Sequence, residues 1–232
     1  MSTFELTASN AFTRRATIID EPADVEVRLK ELHSDLSPVL LRDAINGGLR
    51  GRNETNRASA PTAAGVQQWL KTVEDLRTLL ATAHWHIHEQ KNCPFISSPD
   101  RSISIVVMTG NSETGKNGID EPTNQAEKGA VAEGFVYKNS QLELFNSVSF
   151  QFAKEQQRET QVWALLYHYD KVLKEIRYEL SLPTGFGNKK ITNWGVRMLL
   201  GSVSNNPDDF TIRKDESNSQ ISVEVEPKIG KL

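Results

Sequence analysis

Residues 162–182, VWALLYHYDKVLKEIRYELSL, are the part of the sequence that decides the fold class. Residues 162–169 and 176–182 are two runs rich in aliphatic and aromatic side chains, and the polar pair Asp170-Lys171 begins the stretch between them. Two such runs joined by a short polar turn are typical of a β-hairpin. The stretch therefore predicts a pair of antiparallel strands.

A second hairpin is predicted before this one. Residues 94–97 and 103–108 are apolar runs, and the turn-forming residues 98–101, Ser-Pro-Asp-Arg, separate them. Three further runs are strand candidates: 194–200, 210–213 and 221–225. The carboxyl-terminal part of the chain is thus predicted to be rich in strands.

The amino-terminal part has the periodicity of helices instead. Its longest helix is predicted to begin near Thr62, because apolar residues recur from there with the period of an α-helix. The residues of this apolar stripe are Val66, Trp69, Leu70, Val73, Leu76, Leu79 and Leu80. Residues 22–33 and 38–45 predict two shorter helices, the second of which should weaken at Gly47 and Gly48.

Helices first and strands later indicate an α+β fold in which N-terminal helices pack on an antiparallel β-sheet. Residues 1–82 are expected to form a mainly helical part, and residues 83–232 a mainly antiparallel β part. The two parts could also form one continuous domain.

Composition excludes several classes of protein. The chain has 232 residues, a formal net charge of −3, 38% hydrophobic and 25% charged residues. These values are unlike those of a collagen, a strongly basic nucleic-acid coat or a disordered chain. Cys93 is the only cysteine, so the protein is not a disulfide scaffold.

The sequence gives no sign of a membrane segment. Its apolar runs are too short to cross a bilayer, and Glu5 lies where a secretory signal would need a positive charge. We therefore expect no membrane association and a cytoplasmic location.

The stretch GNSETGK at residues 110–116 matches the phosphate-binding pattern G-x-x-x-x-G-K, in which glycine amides and a lysine bind phosphate. The candidate nucleotide-binding residues are Gly110, Gly115 and Lys116. However, Asn117 replaces the Ser or Thr that would bind Mg²⁺, and Pro122 opposes a long helix directly after the loop. The favoured interpretation is a long polar surface loop over residues 109–130.

Three histidines alternate with apolar residues after the predicted helix: His84, His86 and His88. At this spacing they would share one face of a strand, where imidazoles can bind Zn²⁺. Cys93, His168 or Glu89 could complete such a metal site. The alternative is a strand whose solvent-facing side is histidine by chance, and no second cluster at metal-ligand spacing supports a metal.

Three arginines lie in or beside a polar stretch, residues 50–61, that is predicted to be a linker: Arg50, Arg52 and Arg57. A flexible basic segment can neutralise phosphates, so these are the candidate nucleic-acid contacts. The chain as a whole is slightly acidic and has no helix-turn-helix, zinc-finger or RRM pattern. A solvated linker is the simpler interpretation.

Three stretches carry a resemblance: ASAPTAAG at residues 58–65, residues 103–115, and WALLY at 163–167 with RYELSLP at 177–183 and Trp194. They resemble a group of uncharacterised proteins of bacterial mobile elements and prophages, over about residues 58–200. In that group the loop after the apolar strand does not need the lysine. The resemblance implies a genomic neighbourhood rather than a reaction, and it makes Glu179 and Trp194 the first positions to test.

From these features we expect a non-enzymatic accessory or interaction protein, of phage or mobile-element origin, that binds another protein and needs no cofactor. Long loops on a rigid sheet often carry binding function. The expected partner-binding residues are Asn111, Glu113, Lys116, Asp120 and Glu121. Two alternatives stay open: a metal- or nucleotide-dependent enzyme acting on nucleic acid, and a nucleic-acid-binding module.

Overall fold

The structure is a computed structural model that describes residues 15–148 and 160–205. The helices of this part are α1 (Pro22–Leu32), α2 (Pro38–Asn53), α3 (Ala63–Ala81) and α4 (Ala130–Val148). Its strands are β1 (Thr17–Ile19), β2 (His86–Gln90), β3 (Cys93–Ser97), β4 (Ile103–Thr109), β5 (Gln161–Asp170), β6 (Glu175–Gly187) and β7 (Lys190–Ser204). The predicted strands at 210–213 and 221–225 lie outside the described residues. Within the described ranges, no helix combines the length and apolar character needed to cross a membrane.

The strands of the described part form one sheet in the order β1-β7-β6-β5-β4-β3-β2. β1 pairs with β7 in parallel, as β4 does with β5, and the other neighbours pair antiparallel. Both predicted hairpins are confirmed, since β5 pairs with β6 and β3 with β4. The predicted strand at 194–200 forms part of β7.

The predicted fold class is wrong in two respects. The sheet is mixed rather than antiparallel, and a helix lies between strands instead of all helices preceding them. The physical cause is α4, which connects β4 to β5. Parallel neighbours need a long crossover, and α4 provides one.

Helices cover both faces of the sheet. On one face, α1, α2 and α3 pack over strand residues such as Ile105 and Leu165. On the other, α4 packs over Val106 and Ala164. Successive side chains of a strand point to opposite faces, so each central strand contributes to both apolar clusters. The result is a three-layer arrangement of helix, sheet and helix.

Helix α2 extends further than its glycines predict. It begins where Ser37 accepts a hydrogen bond from the Leu40 N–H at 3.2 Å, as expected for an N-cap, but it continues through Gly48 to Asn53. A Cβ on Gly48 would collide with the Thr72 side chain of α3. The glycine therefore allows α2 and α3 to pack closely, and the predicted linker begins only after residue 53.

Candidate functional site

A cavity of about 950 Å³ lies where β4 and β5 end. Thr109 at the end of β4 and residues 167–170 at the end of β5 form one side of it. Arg52 near the end of α2, the first two turns of α3, and Gln125 and Lys128 complete its walls. Ligands of open α/β sheets characteristically bind at the carboxyl ends of the strands. The cavity is therefore the candidate functional site.

The first turn of α3 contributes backbone amides to this cavity. Thr62, Ala64, Gly65 and Val66 all line it. Thr62 occupies the N-cap without a side-chain cap bond, and among the described residues the N–H groups of Ala64 and Gly65 have no hydrogen-bond partner. The first N–H groups of a helix carry the positive end of its dipole, so this turn favours an anion.

Arg52 is held in a fixed position beside this turn. Its guanidinium lies 3.7 Å from the ring centroid of Tyr169, and its Nη1 donates to Gln68 Oε1 at 3.2 Å. Asn205 donates to the Tyr169 hydroxyl at 3.2 Å and accepts from Asn53 Nδ2 at 2.7 Å. These contacts tie the end of α2 to the ends of β5 and β7. The guanidinium is therefore preorganised by a cation–π contact and a hydrogen bond.

Two polar atoms in the cavity wall lack partners. Gln68 and Tyr167 are each only 2% exposed. In the described part of the chain, neither Gln68 Nε2 nor the Tyr167 hydroxyl makes a hydrogen bond. Burial raises the pKa of the Tyr167 hydroxyl well above its usual value, so it keeps its proton. Buried polar groups are nearly always paired, and two of the five unpaired buried side-chain atoms in the described part of the chain belong to this wall.

The cavity is lined by more positively than negatively charged side chains. Arg52, Lys128 and Lys171 line it, against the single carboxylate of Asp170. Hydrogen bonds from the Leu173 and Val172 N–H groups, and from the Arg177 guanidinium, hold the pKa of Asp170 below its usual range. Lys128 is partly buried, and this burial lowers its pKa because the charged form is poorly solvated. An anionic ligand would relieve this imbalance.

The loop with the phosphate-binding pattern is attached to the opposite face of the sheet. Its Gly115 N–H donates to Glu179 Oε2 at 2.8 Å, and its Lys116 carbonyl accepts from Arg197 Nη2 at 3.1 Å. Glu179 and Arg197 form a fully buried ion pair at 2.6 Å. The Glu179 carboxylate thus already accepts the hydrogen bond of the Gly115 N–H that a phosphate would need. The first helix after Lys116 is α4, which begins only at Ala130.

The predicted partner-binding residues have mostly structural contacts. Asn111 Oδ1 accepts from the Glu113 and Thr123 N–H groups, and Glu121 Oε1 accepts from the Ala16 N–H at 2.9 Å. Glu113 and Lys116 pair with each other at 3.6 Å. Only Asp120 of the predicted set has no contact of this kind in the described part of the chain, and it is exposed.

The three histidines do not form one strand face. His86 and His88 lie on β2, but His84 precedes the strand with a φ of 64°. His88 Nε2 lies 3.1 Å from Ser97 Oγ. Across residues 15–148 and 160–205, no group of three or more His, Cys, Asp or Glu side chains is arranged to hold a metal.

The three arginines have separate positions. Arg50 pairs with Asp75 at 3.1 Å, and Arg57 is exposed beyond α2. Only Arg52 reaches the cavity. Neither Gln68 nor Tyr167 is predicted from the sequence, because a single polar residue in a helix and a tyrosine in an apolar strand carry no signal of their own.

No protein-family model, curated protein or solved structure matches this chain. The resemblance to mobile-element proteins remains a prediction.

Proposed function

We propose that this protein binds a small molecule in the cavity at the carboxyl ends of β4 and β5. The observation that carries the proposal is the cavity's position beside two parallel strands, together with the unpaired polar atoms in its wall. Its volume of about 950 Å³ lies within the range of small-molecule sites.

Binding rather than catalysis is proposed because, among the described residues, the one carboxylate that lines the cavity already has partners. The Asp170 carboxylate accepts hydrogen bonds from two backbone N–H groups and from Arg177. His168 Nδ1 lies 3.1 Å from the Gly110 carbonyl, which can only accept, so Nδ1 donates to it and the ring is fixed to the start of the loop. With Nδ1 protonated, the neutral ring keeps an acceptor at Nε2, so a test of catalysis would begin at His168.

A cavity-filling variant tests the proposal. Gly65 lines the cavity, and a Cβ built on it meets no heavy atom within 4 Å. Gly65→Leu should therefore fold, with α3 favoured by the better helix former, and obstruct the cavity. Gly134→Leu is the matched control, because Gly134 is an equally unobstructed helical glycine on α4.

The measurement is a thermal-shift screen of a small-molecule library on three proteins. We expect compounds that stabilise the unmodified protein and Gly134→Leu but not Gly65→Leu. If the library stabilises none of them, or stabilises Gly65→Leu equally, the cavity is not the binding site.

Binding of a protein partner through the loop is a second proposal, and one observation favours it. Ile119 is 92% exposed at the outer edge of the loop, next to the exposed Asp120. An accessory role in a mobile element or in phage–host conflict would use this tip. Ile119→Ser should abolish co-purification of a stoichiometric partner, whereas Val172→Ser, at another exposed turn, should not. Equal recovery of the partner with both variants would refute the assignment to the loop.

A further inference from the structure

We infer that the ligand of this cavity is a small organic oxyanion, a carboxylate or a phosphate, held between Arg52, Gln68 and the first turn of α3. The inference rests on the proposed small-molecule binding and gives the ligand a chemical class.

Arg52 supplies the charge. A guanidinium has five N–H donors, and this one donates to Gln68 and stacks on Tyr169. Among the described residues, no carboxylate lies within salt-bridge distance of it. An arginine that is fixed in place and not paired with an acid can bind a carboxylate or phosphate through two parallel hydrogen bonds.

Gln68 adds a donor that has no partner among the described residues. A guanidinium can only donate, so the Gln68 atom facing Arg52 is the carbonyl Oε1, and Nε2 must be the unpaired donor. Helical side chains lean toward the N-terminus and lie over the preceding turn. Gln68 is four residues after Ala64 and therefore leans toward the turn whose amides are unpaired. Gln68 is almost fully buried, with only 2% of its surface exposed.

The first turn of α3 completes the set of donors. Ala64 and Gly65 contribute N–H groups without partners at the start of a 19-residue helix. Gly65 has no side chain to obstruct the approach of a ligand. Donors from a helix N-terminus and an arginine together are a common way to hold an anion.

The remaining wall explains why the anion should be organic. Val66 is 50% exposed beside the cavity, and Trp69 and Tyr169 also line it. A free phosphate ion would fill only a small part of about 950 Å³. The apolar surface can be covered only if the acid group carries an apolar or aromatic body.

The test is calorimetric titration of the full chain at constant ionic strength with four probes: benzoate, phenyl phosphate, their neutral analogue benzamide, and inorganic phosphate. Constant ionic strength removes general screening effects. We expect benzoate or phenyl phosphate to bind at millimolar concentration or below, and benzamide and inorganic phosphate to bind at least tenfold more weakly. Whichever of the two oxyanions binds more tightly identifies the acid group.

Two variants with the same change of charge give the decisive comparison. Arg52→Gln should weaken oxyanion binding by about tenfold to a hundredfold. Arg50→Gln should leave it unchanged, because Arg50 lies on the same helix but pairs with Asp75. Gly65→Leu retains Arg52 and should abolish binding, which covers the case of an Arg52 variant that does not fold.

The outcomes separate this inference from the function on which it rests. If benzamide binds as well as benzoate and Gly65→Leu blocks both, the cavity binds small molecules but the oxyanion class is wrong. Equal oxyanion binding by Arg52→Gln and Arg50→Gln would also overturn the oxyanion inference. If none of the organic probes binds, the oxyanion inference fails, and the library screen alone then decides the proposed function.

Discussion

At the scale of single residues, the protein has buried polar groups of two kinds. Ser181 and Glu179 lie under the loop with their hydrogen bonds made, since the Ser181 hydroxyl donates to Glu179 Oε1 at 2.8 Å. Tyr167 and Gln68 are equally buried at the cavity, but the Tyr167 hydroxyl and Gln68 Nε2 lack a protein partner. An unpaired buried donor costs about 1–3 kcal/mol of folding free energy. Thr114 Oγ1, Trp163 Nε1 and Arg197 Nη1 are unpaired as well but do not line the cavity, so only the Tyr167 and Gln68 atoms can be assigned to a ligand.

Removing a hydroxyl should therefore have opposite effects at the two places. Tyr167→Phe removes an unpaired group, so we expect the free energy of unfolding to rise by about 1 kcal/mol. Ser181→Ala removes a hydrogen bond to a buried carboxylate, so the free energy of unfolding should fall by about 2 kcal/mol. Urea unfolding of the ligand-free proteins gives both values. A Tyr167→Phe protein that is less stable than its parent would show that this hydroxyl is satisfied in solution.

At the scale of elements, α3 shows how far the sequence predicts the structure. Its helical period was predicted correctly, and Val73, Leu76 and Leu80 of the predicted stripe are buried. Val66 and Leu70, at 50% and 45% exposed, are not. In this half of the helix Gln68 and Thr72 are buried instead, because α2 packs closely at Gly48 and the cavity lies beside Val66. Periodicity predicts a helix's buried face, but not which part of that face borders a cavity.

Helix α4 was not predicted for a related reason. Asn139 is fully buried on the same face of α4 as Phe135 and Val136, and it interrupts the apolar pattern. Its amide donates to the Val162 and Pro183 carbonyls and accepts from the Val162 N–H, which joins α4 to β5 and β6. The sequence does not show these three tertiary hydrogen bonds, so a polar residue at this position favours the interpretation of a loop. The parallel pairing of β4 and β5, and hence the cavity, could not be predicted without this helix.

A buried ion pair anchors the start of the loop between β4 and α4. Glu179→Gln should lower the free energy of unfolding by about 3–5 kcal/mol, because the buried Arg197 would lose its counter-charge. Glu113→Gln is the control on the loop itself, where the exposed pair with Lys116 is worth less than about 1 kcal/mol. Denaturant unfolding measures the stabilities, and amide exchange at Gly115 reports the loop directly. Equal stabilities of the two variants would contradict an anchoring role for Glu179.

At the scale of the whole molecule, the two predicted parts share one apolar cluster. Leu41 and Leu76 from residues 1–82 lie in the same cluster as Leu165 and Leu180 from residues 83–232. β1 also belongs to the first part, yet it pairs with β7, with Ile18 opposite Arg197. A sheet face of this size is stabilised mainly by the apolar area that its covering helices bury.

A fragment of residues 83–232 should therefore fail to fold alone. Without α1, α2 and α3 it would expose one whole face of the sheet, including Trp163, Tyr178 and Leu180, which are at most 2% exposed in the full chain. We expect the full chain to unfold in a single transition that coincides in far- and near-ultraviolet circular dichroism. The fragment should lack the near-ultraviolet signal and bind a hydrophobic dye, as loosely packed states do. A cooperative transition of the fragment would show instead that the β part is an independent domain. The helices that carry Arg52 and Gln68 would then be a separate unit placed over the cavity.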